Sequence, residues 1–585
     1  MKRKNLYGIL TAVVLVGVNL SSCSKFLEVE PKEVLTEDQM YRDIFDADAA
    51  VIGVYGKFLG LAEQHVLWNE LRADLLTVTP QADPYLHELS LNDVTAISAN
   101  NPYVNPRKFY EVILTCNDVL KNFTAMRNEN KLDVDQYSAR YSDIMAVRTW
   151  IYLQLGVHFG KVPYVTDPLE NMDEVLDQSK YSFMEFNQLL PKLIADMEAI
   201  PSKRIYNTDE SLRLSVDGFI MERFFINKYA LLGDLYLWHN DYTKAADAYK
   251  NVMTYYDNQG NDDWTFNYYK LKERSVTDNN DLSIGYLRNR EQDVRTFINS
   301  KTQGWRSMFS RTQDGIWNSE WVWTLPFSSN FGQGNPFIRY FAINGGEYLL
   351  KPSQEIIDQW DNQTQWNGVP YDGRKVLSVA DADGMPVVTK YLDQYTALGT
   401  LVPIDQYNKG GKWFLYRAAK LHLRFAEAAN RDGKHKVAYA LLNNGIRTNY
   451  DNSASSDKTD LQQTQLPWPY DFDARMGQVP YFRGVWHRNE GIRGRAYLRN
   501  RVIENPADSL IHIENYLVEE SALEQAFEGS RWEDLLRIAL RRSDPAYLAD
   551  KVYNKLSKDG NPNADAVRSK LMQQENWYLP FRWKE

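Results

Sequence analysis

Aromatic and amide side chains gather in one short stretch of the chain, between Gln81 and Pro106. An aromatic ring can stack on the C–H face of a sugar, and an amide both donates and accepts hydrogen bonds, so the two residue types together suit a polyhydroxylated ligand. The candidate contacts in this stretch are Tyr85, His87, Asn100, Tyr103 and Asn105. An alternative stays open, because Asn-Asn-Pro-Tyr at 100–103 is also a favourable turn sequence.

A second group of candidates lies further along the chain, in polar and loop-like surroundings where burial of a large ring is less automatic. This group consists of Trp305, Trp317, Phe331 and Asn335. Trp68 and at least one of Trp321 and Trp323 are predicted to be core residues, and none of the three is a candidate ligand contact. Trp68 has helical spacing with neighbouring leucines, and Trp321 and Trp323 lie in an alternating segment that suits a short strand.

Catalytic and metal-binding motifs are weak in this sequence. It has no Gly-x-Ser-x-Gly, His-Glu-x-x-His or Cys-x-x-Cys, and 77 acidic residues will include neighbouring carboxylates by chance. Asp381-x-Asp383-Gly384 and the segment 257–263 could hold Ca²⁺, but a plain Asp-Gly turn is favoured without a bidentate Glu in register. We predict no required metal and no other cofactor.

The N-terminus carries a different chemistry, centred on Cys23. A basic start at residues 2–4 precedes an apolar run at 9–18 that is too short for a permanent membrane span, and Leu-Ser-Ser-Cys follows it. This order predicts a lipoprotein signal peptide at residues 1–22 and a lipidated Cys23 that tethers the mature chain. Only Cys116 then remains, so no disulfide can form within the chain.

The composition limits the partners and the fold class. A net charge of −10 and the lack of a basic stripe argue against a nucleic-acid partner. With 585 residues and 44% hydrophobic content, the chain can build a large core. The aromatic content of 13% is high enough that some rings are expected to serve a ligand.

Helices must position these candidates. Around residue 229 the sequence fits the tetratricopeptide pattern of a helix pair, with Gly233 and Ala245 as small residues at the crossing and Tyr236 and Tyr249 filling the gaps. The segments 141–159 and 418–447 have the same character. We predict a mainly α fold, with a helix-pair scaffold at about 38–256 and 416–450 and a loop-rich ligand lobe with a few short strands at about 257–415.

Several motifs together resemble the SusD-like (RagB/SusD) outer-membrane lipoproteins of Bacteroidetes, over nearly the whole chain. These motifs are "SKFLEVEP" after Cys23, "VRTWIYLQLGVHFGKVPYV", "LHLRFAEAANRDG", "LVEESALEQAFEGSRWEDLLR" and "NWYLPFRWKE". The last two form a C-terminal signature region at about 510–585 within a single SusD-like domain at 23–585. The signature departs from the family pattern at Ser521 and Gln525. Its Glu528 and Arg531 are available to pair, and we interpret the segment as structural.

The resemblance implies a non-catalytic protein that is anchored to the outer membrane and faces outward. Such a protein captures oligosaccharide or polysaccharide and delivers it to a SusC-like TonB-dependent transporter, with the helical face meeting the transporter and the loop-rich lobe meeting the ligand. Two alternatives stay open. One is a lipoprotein that captures peptides for a peptide-import complex, and the other is a glycoside hydrolase, which would need two carboxyl groups roughly 5 to 9.5 Å apart.

Overall fold

A computed structural model describes residues 40–206, 211–213, 215–216, 219–254, 269–273, 282–286, 292–294, 304–310, 320–328, 333–397, 400–476, 484–487 and 489–583. Cys23, the predicted signal peptide and the aspartates at 257–263 lie outside these ranges. Helices dominate the described residues and strands are short, which confirms the predicted fold class. Within these ranges no helix combines the length and the hydropathy needed to cross a membrane.

The first half of the chain is mostly helical. Its helices are α1 (Ile44–Leu59), α2 (Ala62–Val66), α3 (Pro84–Leu91), α4 (Arg107–Asn128), α5 (Val134–Phe159), α6 (Phe186–Ala199), α7 (Lys228–Trp238) and α8 (Tyr242–Met253). A π-helical turn (Leu67–Leu71) follows α2, and 3₁₀ turns include Pro102–Val104. The short strands are β1 (Leu76–Val78), β2 (Lys161–Pro163), β3 (Phe183–Glu185), β4 (Ser215–Val216) and β5 (Phe219–Ile220).

The tetratricopeptide pattern predicts the α7–α8 pair correctly. The two helices pack side by side, and a Cβ on Gly233 would overlap the ring of Tyr249. The Tyr249 hydroxyl donates to Asp234 across the pair, at 2.6 Å. Glycine is therefore required at position 233 because the neighbouring ring occupies the space of any side chain.

The predicted helix at 141–159 is the second half of the longer α5. The helix begins with a capping box, in which Asp133 accepts from the Gln136 amide at 2.8 Å while the Gln136 side chain accepts from the Asp133 amide. It ends at Gly160, whose φ of +72° favours glycine. The chain then turns directly into β2, as the Gly-Lys-Val-Pro sequence predicts.

The second lobe mixes short helices with hairpins. Its helices are α9 (Gly304–Ser310), α10 (Phe337–Phe341), α11 (Gln354–Asp361) and α12 (Gly373–Ser378). Its strands are β6 (Tyr269–Glu273), β7 (Leu282–Tyr286), β8 (Gln292–Val294), β9 (Trp321–Phe327), β10 (Leu350–Pro352), β11 (Val379–Ala382), β12 (Met385–Val388) and β13 (Gly411–Arg417). The predicted strand at 320–327 is β9, which pairs antiparallel with β13.

Helices of the third part of the chain extend the scaffold. They are α13 (Ala418–Arg431), α14 (His435–Leu442), α15 (Gly445–Asn449), α16 (Ile492–Arg495), α17 (Ser509–Gln525), α18 (Arg531–Arg542), α19 (Pro545–Lys558) and α20 (Ala564–Leu571). Helix α13 packs against α8 on one side and against α14 and α17 on the other. The helix pairs predicted from two distant segments therefore form one continuous scaffold.

Buried ion pairs fasten the C-terminal signature to the second lobe. Arg417 at the end of β13 donates to Glu320 at 2.7 Å and to Glu528 at 2.7 Å, and Arg495 donates to Glu524 at 3.0 Å. Glu528 binds Lys390 and Arg417, not the available Arg531. Arg531 instead binds Asp74 with both ends of its guanidinium, at 2.6 and 2.7 Å, because the chain turns between the two residues.

Glu70 in the π-helical turn connects the N-terminal part of the fold to the C-terminal signature. Its carboxylate accepts backbone N–H groups from Phe527 at 3.1 Å, Gly529 at 2.8 Å, Ser530 at 2.9 Å and Arg531 at 3.4 Å. These donors surround the start of α18, where a carboxylate is favoured by the unpaired amides of the first turn. The signature sequence is therefore structural, as predicted.

Candidate ligand-binding cleft

A cleft of about 490 Å³ lies where α2 meets the second lobe. It combines acidic, basic and backbone groups in one concave surface. It is lined by Glu63, Gly334, Asn335, Pro336, Ile338, Arg339, Gly345, Gly346, Glu347 and Lys409. This surface is called the cleft below.

Asn335 builds one wall of the cleft from the inside. Its side-chain amide donates to the carbonyls of Tyr391 at 2.7 Å and Gly410 at 3.2 Å, and its Oδ1 accepts from the Phe337 amide at 3.0 Å. Its own backbone N–H donates to the Lys409 carbonyl at 2.9 Å. With 2% of its surface exposed, Asn335 holds two loops together. Asn335, which the sequence predicted to be a ligand contact, is instead a buried residue that positions the wall of the cleft.

A glycine turn forms the opposite rim. Gly345 has a φ of +79°, and a Cβ on Gly346 would collide with the carbonyls of Ile338 and Ala342. This close approach lets the Glu347 amide donate to the Arg339 carbonyl at 2.9 Å. The Arg339 and Glu347 side chains then pair at 3.1 Å, and both remain exposed at the rim. A hydroxyl group entering the cleft therefore meets a donor and an acceptor side by side.

Two tyrosines connect the cleft to the stretch at 81–106. The Tyr340 hydroxyl donates to the Glu63 carboxylate, and the Tyr103 hydroxyl donates to Asp83 at 2.9 Å. Each hydroxyl is close enough to the other to perturb its pKa. Burial and the Asp83 hydrogen bond raise the pKa of Tyr103 to about 12, and burial and Glu63 raise the pKa of Tyr340 further. Both phenols therefore stay protonated at neutral pH.

The stretch at 81–106 is more ordered than the sequence predicts. Residues 84–91 form α3 instead of a loop, with Asp83 as its N-cap, and they place Tyr85 and His87 on one helix. His87 and Asn100 are exposed, and the Asn100 amide donates to the Tyr85 hydroxyl at 3.4 Å. The half-buried Asn105 accepts from the Arg107 amide at 3.0 Å, where α4 begins.

The turn interpretation also finds support here. Asn101 accepts from the Tyr103 amide at 3.0 Å and caps the 3₁₀ turn, while its own amide donates to the Tyr85 carbonyl at 3.0 Å. Tyr103 itself is buried, and its carbonyl accepts from the Trp68 indole at 2.6 Å. The structure therefore brings Tyr103 to the wall behind the cleft, while Tyr85, His87 and Asn100 share the neighbouring surface.

The tryptophan predictions divide. Trp305 on α9 has 0% of its surface exposed, with Lys390 and Arg417 close to its ring at 5.8 and 5.9 Å, so it has no face for a ligand. Trp305, which the sequence predicted to be a ligand contact, is instead a core residue. Trp317 and Phe331 lie outside the described residues, so their roles stay predictions. The predicted burial of Trp68 and of at least one of Trp321 and Trp323 is confirmed, and both of the latter are buried.

Tyr407 is an exposed aromatic residue, close in sequence to the cleft residue Lys409, that sequence reasoning missed. Of its surface 89% is exposed, and it lies two residues before Lys409 in the cleft lining. Asp405 accepts from its backbone N–H at 2.8 Å, and the same segment is fastened to the second lobe because the Ile404 amide donates to the Tyr395 carbonyl at 2.8 Å. The surrounding "IDQYNKGG" carries the polar, glycine-rich signal that singled out the other aromatic candidates.

Metal binding finds no geometric support in the parts of the chain described. No group of three or more His, Cys, Asp or Glu side chains there could hold a metal ion. Asp381 accepts from the Gly384 amide at 2.9 Å in the β11–β12 hairpin, which is the arrangement of an Asp-Gly turn. The absence of a required cofactor stays a prediction.

Comparison with known proteins gives one consistent family. A model described as the SusD family matches residues 233–584, which is more than half of the chain. "SusD-like protein P38" of Formosa agariphila is 24% identical over 561 residues, covering 92% of each chain. Two solved structures share the fold. A SusD superfamily protein from Bacteroides vulgatus has a TM-score of 0.57 at 15% identity and covers 93% of this chain and 96% of its own. A laminarin-binding SusD-like protein has a TM-score of 0.51 at 14% identity, with 93% and 97% covered.

Proposed function

Because the chain belongs to the SusD family, we propose that it is a non-catalytic glycan-binding protein that takes up oligosaccharide or polysaccharide in the cleft. One observation carries this proposal: Arg339, Glu347 and Lys409 line one concave surface, and the ring of Tyr407, two residues before Lys409 in the chain, is exposed. A flat apolar face next to clustered donors and acceptors is the chemistry that sugars require. The description of one relative as laminarin-binding agrees with this ligand class.

In the proposed complex each group has a separate role. The Tyr407 ring stacks on the C–H face of one sugar unit. The Arg339 guanidinium and the Lys409 ammonium donate to sugar oxygens, and the Glu347 carboxylate accepts from a hydroxyl. Asn335 and Tyr340 hold the walls behind these groups, so the site is formed before the ligand arrives.

Binding without bond cleavage is the function that the cleft favours. Its two carboxylates are already engaged, Glu63 with the Tyr340 hydroxyl and Glu347 with Arg339. A glycoside hydrolase needs one carboxyl group that donates a proton and a second that acts as nucleophile or base. None of the relatives reported above is described as an enzyme. Capture of peptides remains the alternative that a ligand screen must test.

Capture and import are linked in the proposed function through the anchor. A lipid on Cys23 would hold the protein at the outer face of the outer membrane, beside a SusC-like TonB-dependent transporter that receives the glycan. Tethering two partners to one membrane raises their effective concentration, so a weak sugar contact can still supply import. The helical scaffold is proposed to meet the transporter and the second lobe to meet the ligand.

Isothermal titration of the mature chain tests the binding function. Laminarin and other neutral glycans are titrated against the wild type, Tyr407→Ala, Tyr407→Phe and Phe45→Ala. Phe45 is also an exposed aromatic residue, but it lies at the far end of α1 from the cleft. We expect Tyr407→Ala to weaken binding roughly 3- to 10-fold, because a lost aromatic contact costs about 0.5–1.5 kcal/mol. Tyr407→Phe and Phe45→Ala should bind like the wild type.

Three results would contradict the proposal. Peptide pools that bind the wild type while no glycan does would favour the peptide-capturing alternative. Equal affinities of Tyr407→Ala and Phe45→Ala for a bound glycan would remove the cleft as its site. Reducing sugar released from any glycan during the titrations would instead identify a hydrolase.

A further inference from the structure

A larger cavity of about 1000 Å³ lies on the scaffold and shares no lining residue with the cleft. The end of α5, the start of α6, the end of α7 and the C-terminal segment at 574–581 surround it. It is called the groove below. Its volume is at the upper end of the range of roughly 300–1000 Å³ that small-ligand sites occupy, so it has room for several sugar units.

Aromatic rings and amides dominate the lining of the groove. The rings belong to Phe186, Trp238, Tyr578 and Phe581, and two of the amides to Asn187 and Gln574. Phe186 and Trp238 meet edge to face, with their centroids 5.4 Å apart. Rings and amides in one concavity are the same combination that suits a polyhydroxylated ligand in the cleft.

One donor in the groove lacks an acceptor. Trp238 is almost completely buried, and among the described residues no group accepts a hydrogen bond from its indole N–H. A buried N–H without an acceptor costs free energy, and buried indoles usually find a partner. The indole nitrogen lies beneath the surface of the groove, so a ligand oxygen supplies the missing acceptor once the Trp238 ring turns toward it.

Charges of both signs line the groove, and its two arginines are paired with buried carboxylates. Lys161 stands directly opposite Glu185 in the β2–β3 register. Arg537 binds Glu427 at 2.6 Å, and Arg541 binds Glu427 at 2.8 Å and Glu514 at 2.7 Å. Cations that are already paired offer little to an anionic ligand, so the groove favours a neutral polar one.

We propose that the groove is a second glycan-binding site, which takes a neutral oligosaccharide with the Trp238 indole N–H as a donor. The proposal rests on the proposed function, because it assigns the same ligand class to a separate surface. The Phe186, Tyr578 and Phe581 rings provide apolar contact area. Asn187 and Gln574 bond the sugar hydroxyls at the rim, and the protein binds two glycan segments at once.

Titration of the mature chain with a laminarin oligosaccharide tests the second site. The groove variant is Asn187→Ala with Gln574→Ala, two exposed positions whose truncation leaves the core intact. The matched cleft variant is Tyr407→Ala. We expect two binding events in the wild type, of which the groove variant weakens one roughly tenfold and the cleft variant weakens the other. Circular dichroism checks that each variant is folded.

A second readout reports on Trp238 directly. The indole ¹⁵N–¹H signal of Trp238, assigned by its loss in Trp238→Phe, should shift during the event that the groove variant weakens. A single event that only Tyr407→Ala weakens, with a stationary Trp238 signal, would overturn the second site and leave the proposed function standing. No glycan binding at all would overturn both. A peptide that shifts the Trp238 signal where oligosaccharides do not would also overturn the proposal.

Discussion

Replacing Glu70 by Gln tests whether burial or hydrogen bonding from backbone N–H groups has the larger effect on the pKa of this buried carboxyl group. In the wild type, Oε1 accepts from Gly529, Ser530 and Arg531, and Oε2 accepts from Phe527. The Gln side chain keeps one oxygen but turns an NH₂ group toward the Phe527 N–H. At pH 5, where the carboxyl group is neutral, the change leaves the buried Phe527 N–H without an acceptor, so the free energy of unfolding should fall by about 1–3 kcal/mol.

The stability difference between the wild type and Glu70→Gln should also depend on pH, which gives a sharper test. Burial raises the pKa of Glu70 from its ordinary value of 4.5 to about 7, against the opposing effect of the four N–H donors. A carboxyl group whose pKa is higher in the folded protein contributes stability below pH 4.5 and loses it as the pH rises through 7. Since each pKa unit corresponds to about 1.4 kcal/mol, the loss reaches up to about 3 kcal/mol. Gln does not titrate.

Urea denaturation of the mature chain at pH 5, 6, 7 and 8 measures this difference. The stability gap between the wild type and Glu70→Gln should narrow as the pH rises. Glu111→Gln is the matched control, because Glu111 is an exposed carboxyl group at which no gap is expected at any pH. A gap that widens from pH 5 to pH 8 would refute the reasoning, because it would mean that the four N–H donors outweigh burial and lower the pKa.

Three further predictions concern the scaffold, the ion-pair network and the anchor. Gly233→Ala should lower the free energy of unfolding by about 1–3 kcal/mol, because its Cβ overlaps the Tyr249 ring. The control Gly56→Ala, at an exposed position of α1 with open space around it, should raise the free energy of unfolding by about 0.5–1 kcal/mol. Equal melting temperatures of the two variants would contradict this prediction. Arg417→Ala should lower the free energy of unfolding, measured by urea denaturation, by about 3–5 kcal/mol, because it leaves Glu320 and Glu528 buried without this partner. The control Arg339→Ala at the exposed rim should lower it by less than about 1 kcal/mol. Similar losses for the two variants would mean that the buried network contributes little to stability. Cys23→Ala should abolish incorporation of labelled palmitate and release the protein from the membrane fraction, and a variant that stays lipidated would place the anchor elsewhere.

Local patterns were the part of the fold that the sequence could predict. The α7–α8 pair, the end of α5 at Gly160 and the strand β9 each follow from spacing within a few residues. The partner of Arg531 could not be predicted, because Asp74 is 457 positions away in the chain. Glu528, three positions from Arg531 in sequence, was the partner that a local argument suggested.

The prediction of Trp305 as a ligand contact was wrong, and Tyr407 was missed, for the same physical reason. Trp305 and Tyr407 both lie in polar sequence, and nothing within either segment tells which ring is covered. The groups that approach Trp305 come from Lys390 and Arg417, which the buried network brings to α9. The segment around Tyr407 is instead held by backbone hydrogen bonds, which leave its ring outside.

The distribution of rings has a consequence for specificity. Much of the high aromatic content is used inside the fold, where Phe58, Trp150, Trp323 and Trp413 pack together with centroids 5.1–6.0 Å apart. At the cleft, stacking therefore depends on the exposed Tyr407, while Arg339, Glu347 and Lys409 supply directional contacts. Stacking tolerates different sugars, but a site built to hydrogen-bond particular hydroxyls rejects ligands that lack them. Arg339→Ala should accordingly change which glycans bind more than Tyr407→Ala does, and a glycan array that ranks the same ligands for both variants would contradict this division of roles.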